Sequence, residues 1–302
     1  MTPSATVARD TNPAISPDDR FVVFASSRGR PFDETSLWIA PVAPDSIAHP
    51  LTAGAAIDSQ PTWVPDGSAI VFARALPGGT FDLYRLAIDR EGNAHGELEQ
   101  LTTGAGHEVT PSVGRDGAIV YAEVTPHGDG TTGVDSHLEL RTPDGAIVRL
   151  TNGPGDATPA ISPDGKRIVY SCAIERTTPG GGMIDADLCS TKPTGGDRET
   201  LIDLPLTDES GPVWSPDGRF LFATSALRDS KGKAVFSSVI EIDMQAHPRV
   251  ARLLEDHAGL FPRLTPALTH VALDRTALDA DPEYLPELAR LLAPAMAEAK
   301  SP

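Results

Sequence analysis

The sequence predicts an all-β fold, a six-bladed β-propeller of four-stranded antiparallel blades that is closed by the N-terminal strand and followed by a C-terminal α-helix. The first observation is a proline-led phrase that recurs about every 50 residues, a period typical of repeated supersecondary units. The second is a large apolar residue two positions after each proline, with a turn of the Pro-Asp-Gly type after it in most repeats. The third is that each repeat contains short apolar runs of strand length, and small sheets packed around an axis form a propeller. The phrase begins at Pro13, Pro61, Pro111, Pro159, Pro212 and Pro262.

The second repeat illustrates the four strands expected in one blade. Residues 60–64 are predicted as the first strand, 69–74 as the second, 82–88 as the third, and 100–101 with their neighbours as the fourth. Pro65-Asp66-Gly67 is a tight turn, because proline presets φ and glycine accepts a positive φ. The apolar runs are continuous, which indicates strands covered on both faces.

The two ends of the chain are expected to complete the fold. The sixth repeat lacks Asp-Gly and shows only two strands, so we expect residues 5–9 to supply its fourth strand and to close the ring. Asp281 and Pro282 are typical of a helix start. Leu285, Leu288 and Leu292 then share one helical face, which is expected to dock on the propeller, or alternatively to bind a partner or a second copy. The predicted domains are the propeller over 1–275 and a helical extension over 276–302.

Composition limits the partners and the compartment. The net charge is −17 and the pI is about 4.8, which argues against nucleic acid and acidic membrane surfaces, because phosphate binding needs clustered Lys and Arg. No apolar run approaches the roughly 20 residues of a membrane span. The first ten residues show no signal-peptide pattern. The chain is therefore expected to be either periplasmic or secreted, with its signal outside this sequence, or cytoplasmic.

The only two cysteines, Cys172 and Cys189, fall on neighbouring strands of one predicted blade. A cross-strand disulfide is one interpretation, and it would stabilise the fold by about 3 kcal/mol in the chain-entropy model. Two unpaired buried thiols are the other interpretation, because the strand register is not known from sequence.

An acidic position recurs three residues before the repeat proline. It is expected to ring the mouth of the central channel, where oxygen ligands suit Ca²⁺, with Asp58, Glu108 and Asp156 as candidate calcium ligands. The structural alternative is that each carboxylate caps nearby backbone N–H groups. The five carboxylates are Asp10, Asp58, Glu108, Asp156 and Glu209. Four neighbours that could join them are His107, Asp208, Asp256 and His257.

Topology predicts which end of the propeller binds a partner. Connections between second and third strands emerge on the same face as the lead-in to each first strand, and we call this the loop face. The opposite end carries the tight Pro-Asp-Gly turns and is called the turn face. Long loops on a rigid scaffold are where binding surfaces usually lie. The long connections are 27–36, 75–81, 125–137, 175–185 and 227–237.

The residues bear on two kinds of enzyme site. No Gly-x-Ser-x-Gly elbow occurs in the sequence, which argues against a propeller-linked serine peptidase. A lyase-like site built from His107 and His257 across the channel is the remaining catalytic alternative.

Trp63 and Trp214 occupy the repeated apolar position, so we expect them to lie in the core between blades.

The repeat resembles that of the TolB propeller family. The residues that carry the resemblance are Ser16-Pro17-Asp18, Pro65-Asp66-Gly67, Ser162-Pro163-Asp164-Gly165 and Ser215-Pro216-Asp217-Gly218. The resemblance covers about residues 5–275, and the α/β domain that precedes the propeller in TolB has no counterpart here. It implies a periplasmic or envelope propeller with a protein partner, such as a Pal-like lipoprotein.

These observations together predict a non-catalytic, monomeric protein-binding or scaffold propeller of the cell envelope. It would use the loop face and the acidic channel mouth, with no cofactor apart from Ca²⁺. The alternative is a propeller enzyme, a lyase or hydrolase, with a metal and histidine site at the central channel.

Overall fold

The computed structural model describes residues 8–31, 33–126, 134–178, 181–204, 207–228, 234–246, 249, 251–253, 260–264 and 271–274. All regular secondary structure in these ranges is β-strand, and none of it is helical. None of these residues forms a helix that could cross a membrane. The expected helix after Asp281, and with it the extension over 276–302, lies outside the described residues.

The strands form five four-stranded sheets and one two-stranded sheet. Blade 1 contains β1 (Asp10–Ile15), β2 (Phe21–Ser26), β3 (Ser36–Pro41) and β4 (His49–Pro50). Blade 2 contains β5 (Ile57–Trp63), β6 (Ala69–Ala75), β7 (Phe81–Ile88) and β8 (Ala94–Gln100). Blade 3 contains β9 (His107–Val113), β10 (Ile119–Pro126), β11 (Val134–Arg141) and β12 (Ile147–Arg149).

Blade 4 contains β13 (Ala157–Ile161), β14 (Ile168–Thr178), β15 (Gly181–Thr191) and β16 (Glu199–Ile202). Blade 5 contains β17 (Thr207–Trp214), β18 (Phe220–Arg228), β19 (Ala234–Asp243) and β20 (Ala251–Leu253). The sixth repeat forms only β21 (Leu260–Leu264) and β22 (Val271–Asp274). Within every blade the strands pair antiparallel in sequence order.

The prediction of six complete blades is therefore wrong for the described chain, which also contains no helix. The described chain has five four-stranded blades, and the sixth repeat contributes a two-stranded sheet. The first strands of successive blades contact one another, and β21 contacts both β17 and β1. Ala8 and Arg9 belong to no strand, and the rest of the predicted closing strand lies outside the described residues. Each proline phrase marks a first strand, and the sixth phrase lacks the Asp-Gly turn, so counting phrases does not count complete blades.

The hydrophobic core lies between neighbouring blades. Trp63 is 7% exposed and packs with Val23, Ile39 and Phe72 of blades 1 and 2. Its indole Nε1 donates a hydrogen bond to the Ala14 carbonyl oxygen at 3.1 Å. Trp214 repeats this contact with the Ala160 carbonyl oxygen at 3.2 Å. The prediction that the tryptophans lie in the core between blades is confirmed for Trp63, whereas Trp214 is only partly buried and packs against the core cluster of blades 4 and 5.

Each first strand contains a β-bulge just before its repeat proline, where the pairing register shifts. The residue before the proline has a left-handed backbone in every blade, and such bulges re-aim the neighbouring side chains. Three of these side chains bond to the next blade: Asn12 Oδ1 accepts from Ser59 Oγ at 3.3 Å, Gln60 Oε1 accepts from Thr110 N at 2.9 Å, and Thr158 Oγ1 accepts from Gly211 N at 3.1 Å. The five bulge residues are Asn12, Gln60, Thr110, Thr158 and Gly211.

Cys172 and Cys189 form a disulfide between β14 and β15, with their Cα atoms 5.8 Å apart. Both residues are fully buried. Of the two interpretations left open by the sequence, the structure therefore supports the disulfide.

Candidate functional site

The five repeated carboxylates occupy equivalent positions where the first strands begin, and four of them are buried. The exposed fraction is 1% for Asp58, Glu108 and Asp156 and 0% for Glu209. Asp10 is the exception, because it is exposed and bonds to Ser26 and Arg28. Burial at this position argues for contacts within the blades rather than for an open acidic mouth.

Three buried carboxylates share one local arrangement with a threonine from the preceding linker. The hydroxyls of Thr52, Thr102 and Thr151 bond to Asp58, Glu108 and Asp156 respectively. The same hydroxyls accept hydrogen bonds from third-strand N–H groups at 2.9, 2.8 and 2.9 Å. This arrangement supports the structural alternative, in which the acid repeats because the linker repeats. Ca²⁺ binding by Asp58, Glu108 and Asp156 stays a prediction.

Burial also sets the protonation of these acids. Desolvation raises the pKa of Asp58 and Asp156, with threonine hydrogen bonds opposing it. It raises the pKa of Glu108 to about 7. For Glu209, desolvation raises the pKa well above its ordinary value, against the hydrogen bond from Ser225.

The four additional candidates do not come together among the described residues. His107 Nδ1 accepts a hydrogen bond from Phe81 N at 3.2 Å, and its ring packs on that of Phe81. Asp208 Oδ1 accepts from Ala186 N at 3.0 Å. Asp256 and His257 lie outside the described residues, so the lyase-like pair stays a prediction.

A cavity of about 510 Å³ lies on the axis, lined by all five blades. Its described walls run from the bulge residues to the prolines of the Pro-Asp-Gly turns, so it reaches the turn face. Neutral polar side chains, seven prolines and a few apolar residues make up nearly all of the lining. Arg115 is the one charged residue among the described residues of the lining.

A second cavity, a groove of about 730 Å³, lies beside blades 4 and 5 at the turn face. Its charges are largely paired with each other, as in the contacts of Glu199 with Arg167 at 2.8 Å and with Arg249 at 2.7 Å. Arg115 lines this groove as well as the axial cavity. It is exposed and makes no ion pair with any other described residue. Arg115 stands where other repeats have the turn proline, so the sequence carried a signal for it.

Sequence reasoning missed a cluster of two glutamates and a histidine on blade 3. His137 Nε2 lies 3.1 Å from Glu123 Oε2 and 3.4 Å from Glu139 Oε1. The signal available was the spacing of His137 and Glu139, because alternate residues of a strand share one face. The pairing with Glu123 depends on the hairpin register, which the sequence does not supply.

The sequence matches the family model of the TolB beta propeller domain over residues 4–180. The chain belongs to this TolB propeller family. Comparison with curated proteins finds no match.

Solved structures agree on the fold. A protein assigned as TolB from Agrobacterium tumefaciens is 19% identical, with a TM-score of 0.61, over 81% of this chain and 79% of that one. TolB from Acinetobacter baumannii is 18% identical, with a TM-score of 0.57, over 82% of this chain and 55% of that one. An oligogalacturonate lyase from Vibrio parahaemolyticus is 11% identical, with a TM-score of 0.60, over 92% of this chain and 76% of that one. At such identities the likeness shows the fold alone.

Proposed function

We propose that this chain is a non-catalytic protein-binding propeller of the cell envelope, and that its axial cavity receives a segment of the partner. The observation that carries the proposal is the cavity of about 510 Å³ at the turn face, to which every blade contributes. Its volume lies within the range of about 300–1,000 Å³ that is typical of binding pockets.

The chemistry of the lining suits a polypeptide segment. Thr62, Thr110, Ser112 and Thr158 offer hydroxyl groups that both donate and accept hydrogen bonds. The prolines beside them offer rigid apolar surface without N–H groups. Backbone amides of a partner can therefore bond to the walls while its apolar side chains pack on the prolines. A pair of catalytic acid and base groups is not present among the described residues of the lining.

Arg115 defines the expected charge of the partner segment. In a chain of net charge −17, this guanidinium is exposed at the border of the axial cavity and the groove. A carboxylate is the group that matches its planar set of donors best. The proposed partner segment therefore carries an acidic side chain or a C-terminal carboxylate.

Two further considerations support an envelope setting. A buried disulfide is typical of proteins in oxidising compartments such as the periplasm. The TolB family resemblance supplies the first candidate partner, a Pal-like lipoprotein. We propose a periplasmic or secreted location on this basis.

The test is affinity capture from an envelope extract, together with direct binding of a purified Pal-like lipoprotein. Thr62→Trp places an indole in the axial cavity and is expected to abolish recovery of the partner. Thr103→Trp makes the same substitution at an exposed position beside the first strand of blade 3, near the loop face, and is expected to leave recovery unchanged. Circular dichroism of each variant verifies folding.

The opposite pattern would contradict the proposal. Loss of binding in Thr103→Trp with retention in Thr62→Trp would place the partner on the loop face. Arg115→Glu is expected to weaken binding at least about tenfold, because it opposes two negative charges across the contact. Arg252→Glu provides a matched charge reversal at an exposed position on β20, the outermost strand of blade 5, and is expected to have no effect.

A further inference from the structure

The glutamate and histidine cluster of blade 3 has a regular origin in the hairpin register. Glu123 on β10 pairs directly with His137 on β11, and Tyr121 pairs with Glu139. Residues opposite one another, and alternate residues of one strand, lie on the same face of a sheet. All four side chains therefore lie on the face of blade 3 that meets blade 2, where Tyr121 packs in a core cluster with Val71 and Leu83.

The three polar groups are spaced as ligands of one metal ion. One oxygen of each glutamate and a nitrogen of His137 lie within 4.8 Å of one another. Metal-to-ligand distances of about 2.0–2.2 Å in a tetrahedral site place ligand atoms about 3.4 Å apart. The distances of 3.1 and 3.4 Å from His137 Nε2 to the two carboxylates match that spacing. A single N–H on this nitrogen can satisfy only one of the two oxygens well.

The cluster is also short of positive charge. The side chains of Glu123, His137 and Glu139 are only 19%, 11% and 17% exposed. Among the described residues, no Lys or Arg forms an ion pair with these glutamates or with Glu108. Burying carboxylates without a cation is costly.

In blades 1, 2, 3 and 5, the repeated acidic position pairs with one residue of the second strand, which pairs in turn with one residue of the third, and these three residues form a row across the sheet. The row of blade 3 differs from those of the other blades. In blade 2 the equivalent row is Asp58, Arg74 and Asp82, with an arginine between the acids. In blade 1 it is Asp10, Ser26 and Ser36, and in blade 5 Glu209, Ser225 and Ser238. In blade 3 it is Glu108, Glu123 and His137. A second glutamate thus stands where blade 2 has arginine.

An independent observation comes from Glu108 at the start of that row. Glu108 is 1% exposed, and its Oε2 atom is buried with no hydrogen-bond partner among the described residues. It pairs with Glu123 across the strands and lies close enough to Glu139 for their charges to interact. A buried acceptor beside two further carboxylates indicates that a positive group belongs in this space.

Two glycines of the preceding loop make room for the acids. A Cβ atom on Gly106 would lie 2.9 Å from Glu123 Oε1, and one on Gly104 would clash with Glu108 Oε1. Neither glycine has a positive φ, so the requirement for glycine is one of space. The absence of a Cβ atom at both positions therefore leaves space in the loop for these carboxylates.

We propose that Glu123, His137 and Glu139 bind one first-row divalent transition-metal ion, such as Zn²⁺, in the interface between blades 2 and 3. One imidazole and two carboxylates suit a borderline ion, whereas Ca²⁺ takes oxygen ligands only. Three protein ligands leave further positions for water or a substrate. Tyr121 is a positioning residue, because its hydroxyl donates to Glu139 Oε2 at 2.8 Å and leaves Oε1 to face His137.

The test is titration of tag-free protein with Zn²⁺ by calorimetry, with Co²⁺ absorption as a spectroscopic readout. Wild type is expected to take up one equivalent and to show the absorption of a nitrogen-ligated Co²⁺ site. His137→Gln, Glu123→Gln and Glu139→Gln are each expected to lose at least about tenfold in affinity, and Tyr121→Phe to lose about tenfold through its effect on Glu139.

The control is the double substitution His95→Gln and Glu97→Gln, which makes the same chemical changes on the exposed strand β8. It is expected to keep the affinity of wild type. Retained affinity in His137→Gln, or an equal loss in the control, would overturn the proposal. If His137→Gln fails to fold, the wild-type stoichiometry and the Glu139→Gln titration decide. Absence of stoichiometric uptake by wild type would overturn the proposal by itself.

Discussion

At the scale of residues, the Ser-Pro-Asp-Gly phrase is explained by one buried hydroxyl. Ser16, Ser162 and Ser215 each donate to the aspartate two residues on, at 2.7, 2.7 and 2.6 Å. Each also accepts from the backbone N–H five residues on, at 2.9, 3.0 and 2.8 Å. The serine hydroxyl thus links the tight turn to the start of the second strand through two hydrogen bonds.

Replacement of Ser215 by alanine is expected to lower the free energy of unfolding by about 1–3 kcal/mol, because the Phe220 N–H loses its acceptor in a buried site. Urea denaturation followed by fluorescence measures this change. Ser68→Ala, at an exposed turn position of blade 2, is the control and is expected to change stability by less than about 0.5 kcal/mol. Equal losses at both positions would contradict this account of the turn.

The buried carboxylates predict an unusual pH dependence. Burial raises the pKa of Glu209 above its ordinary value of 4.5, so the folded state holds this proton more tightly than the unfolded state does. The stability contributed is complete below pH 4.5 and is lost as the pH rises through the folded-state pKa. Asp58 and Asp156, whose pKa values are also raised, act in the same direction.

Glu209→Gln is expected to make the stability less dependent on pH above 4.5, by at most about 1.4 kcal/mol per pH unit. The glutamine oxygen can still accept from Ser225, as Glu209 Oε1 does at 2.7 Å, and its amide group cannot ionise. Chemical denaturation at a series of pH values from 5 to 9 is the measurement. A variant that follows the same slope as wild type would show that Glu209 is not the group responsible.

At the scale of elements, Trp63 is a large side chain in the core cluster shared by blades 1 and 2. Trp63→Ala is expected to cost about 3–5 kcal/mol, because it empties a large core site between blades 1 and 2. Trp63→Phe keeps most of the apolar contact and loses only the bond to the Ala14 carbonyl, so a smaller loss is expected. Thermal and urea unfolding compare the two variants. A negligible loss in Trp63→Ala would contradict the inter-blade packing.

The sequence was sufficient to predict the strands and the inter-blade tryptophans, but not the side-chain rows across each blade. The bulge between Val109 and Ser112 shifts the pairing of β9 with β10. That shift decides which residues lie opposite Glu108, and no residue type identifies it in advance. Glu123, His137 and Tyr121 therefore escaped notice, although each is visible in the sequence.

At the scale of the whole molecule, periodicity predicted the repeat but overstated the number of blades. Pro262 begins a sixth phrase, and it lies in β21 of the two-stranded sheet. The phrase marks a first strand, and only the later runs of apolar residues determine whether a full blade follows. The long loops predicted a binding face at one end, which stays a prediction, and the axial cavity reaches the other end.

The disulfide provides a prediction for the entire fold. Reduction, or the double substitution Cys172→Ser and Cys189→Ser, is expected to lower the free energy of unfolding by about 3 kcal/mol. The bond closes a loop with a sequence separation of 17. Its loss increases the conformational entropy of the unfolded chain. Denaturation with and without reductant measures the effect, and intact mass before and after alkylation counts the thiols. Alkylation of both cysteines in the native, untreated protein would refute the pairing.

Site-specific photo-crosslinking in the envelope tests most directly where this propeller engages a protein. A photoreactive residue at Thr62 lies in the axial cavity, and one at Thr103 lies beside the first strand of blade 3 at the other end. We predict a discrete crosslinked protein from position 62 and none from position 103. Crosslinks from position 103 alone, or no protein adduct from position 62, would contradict the account.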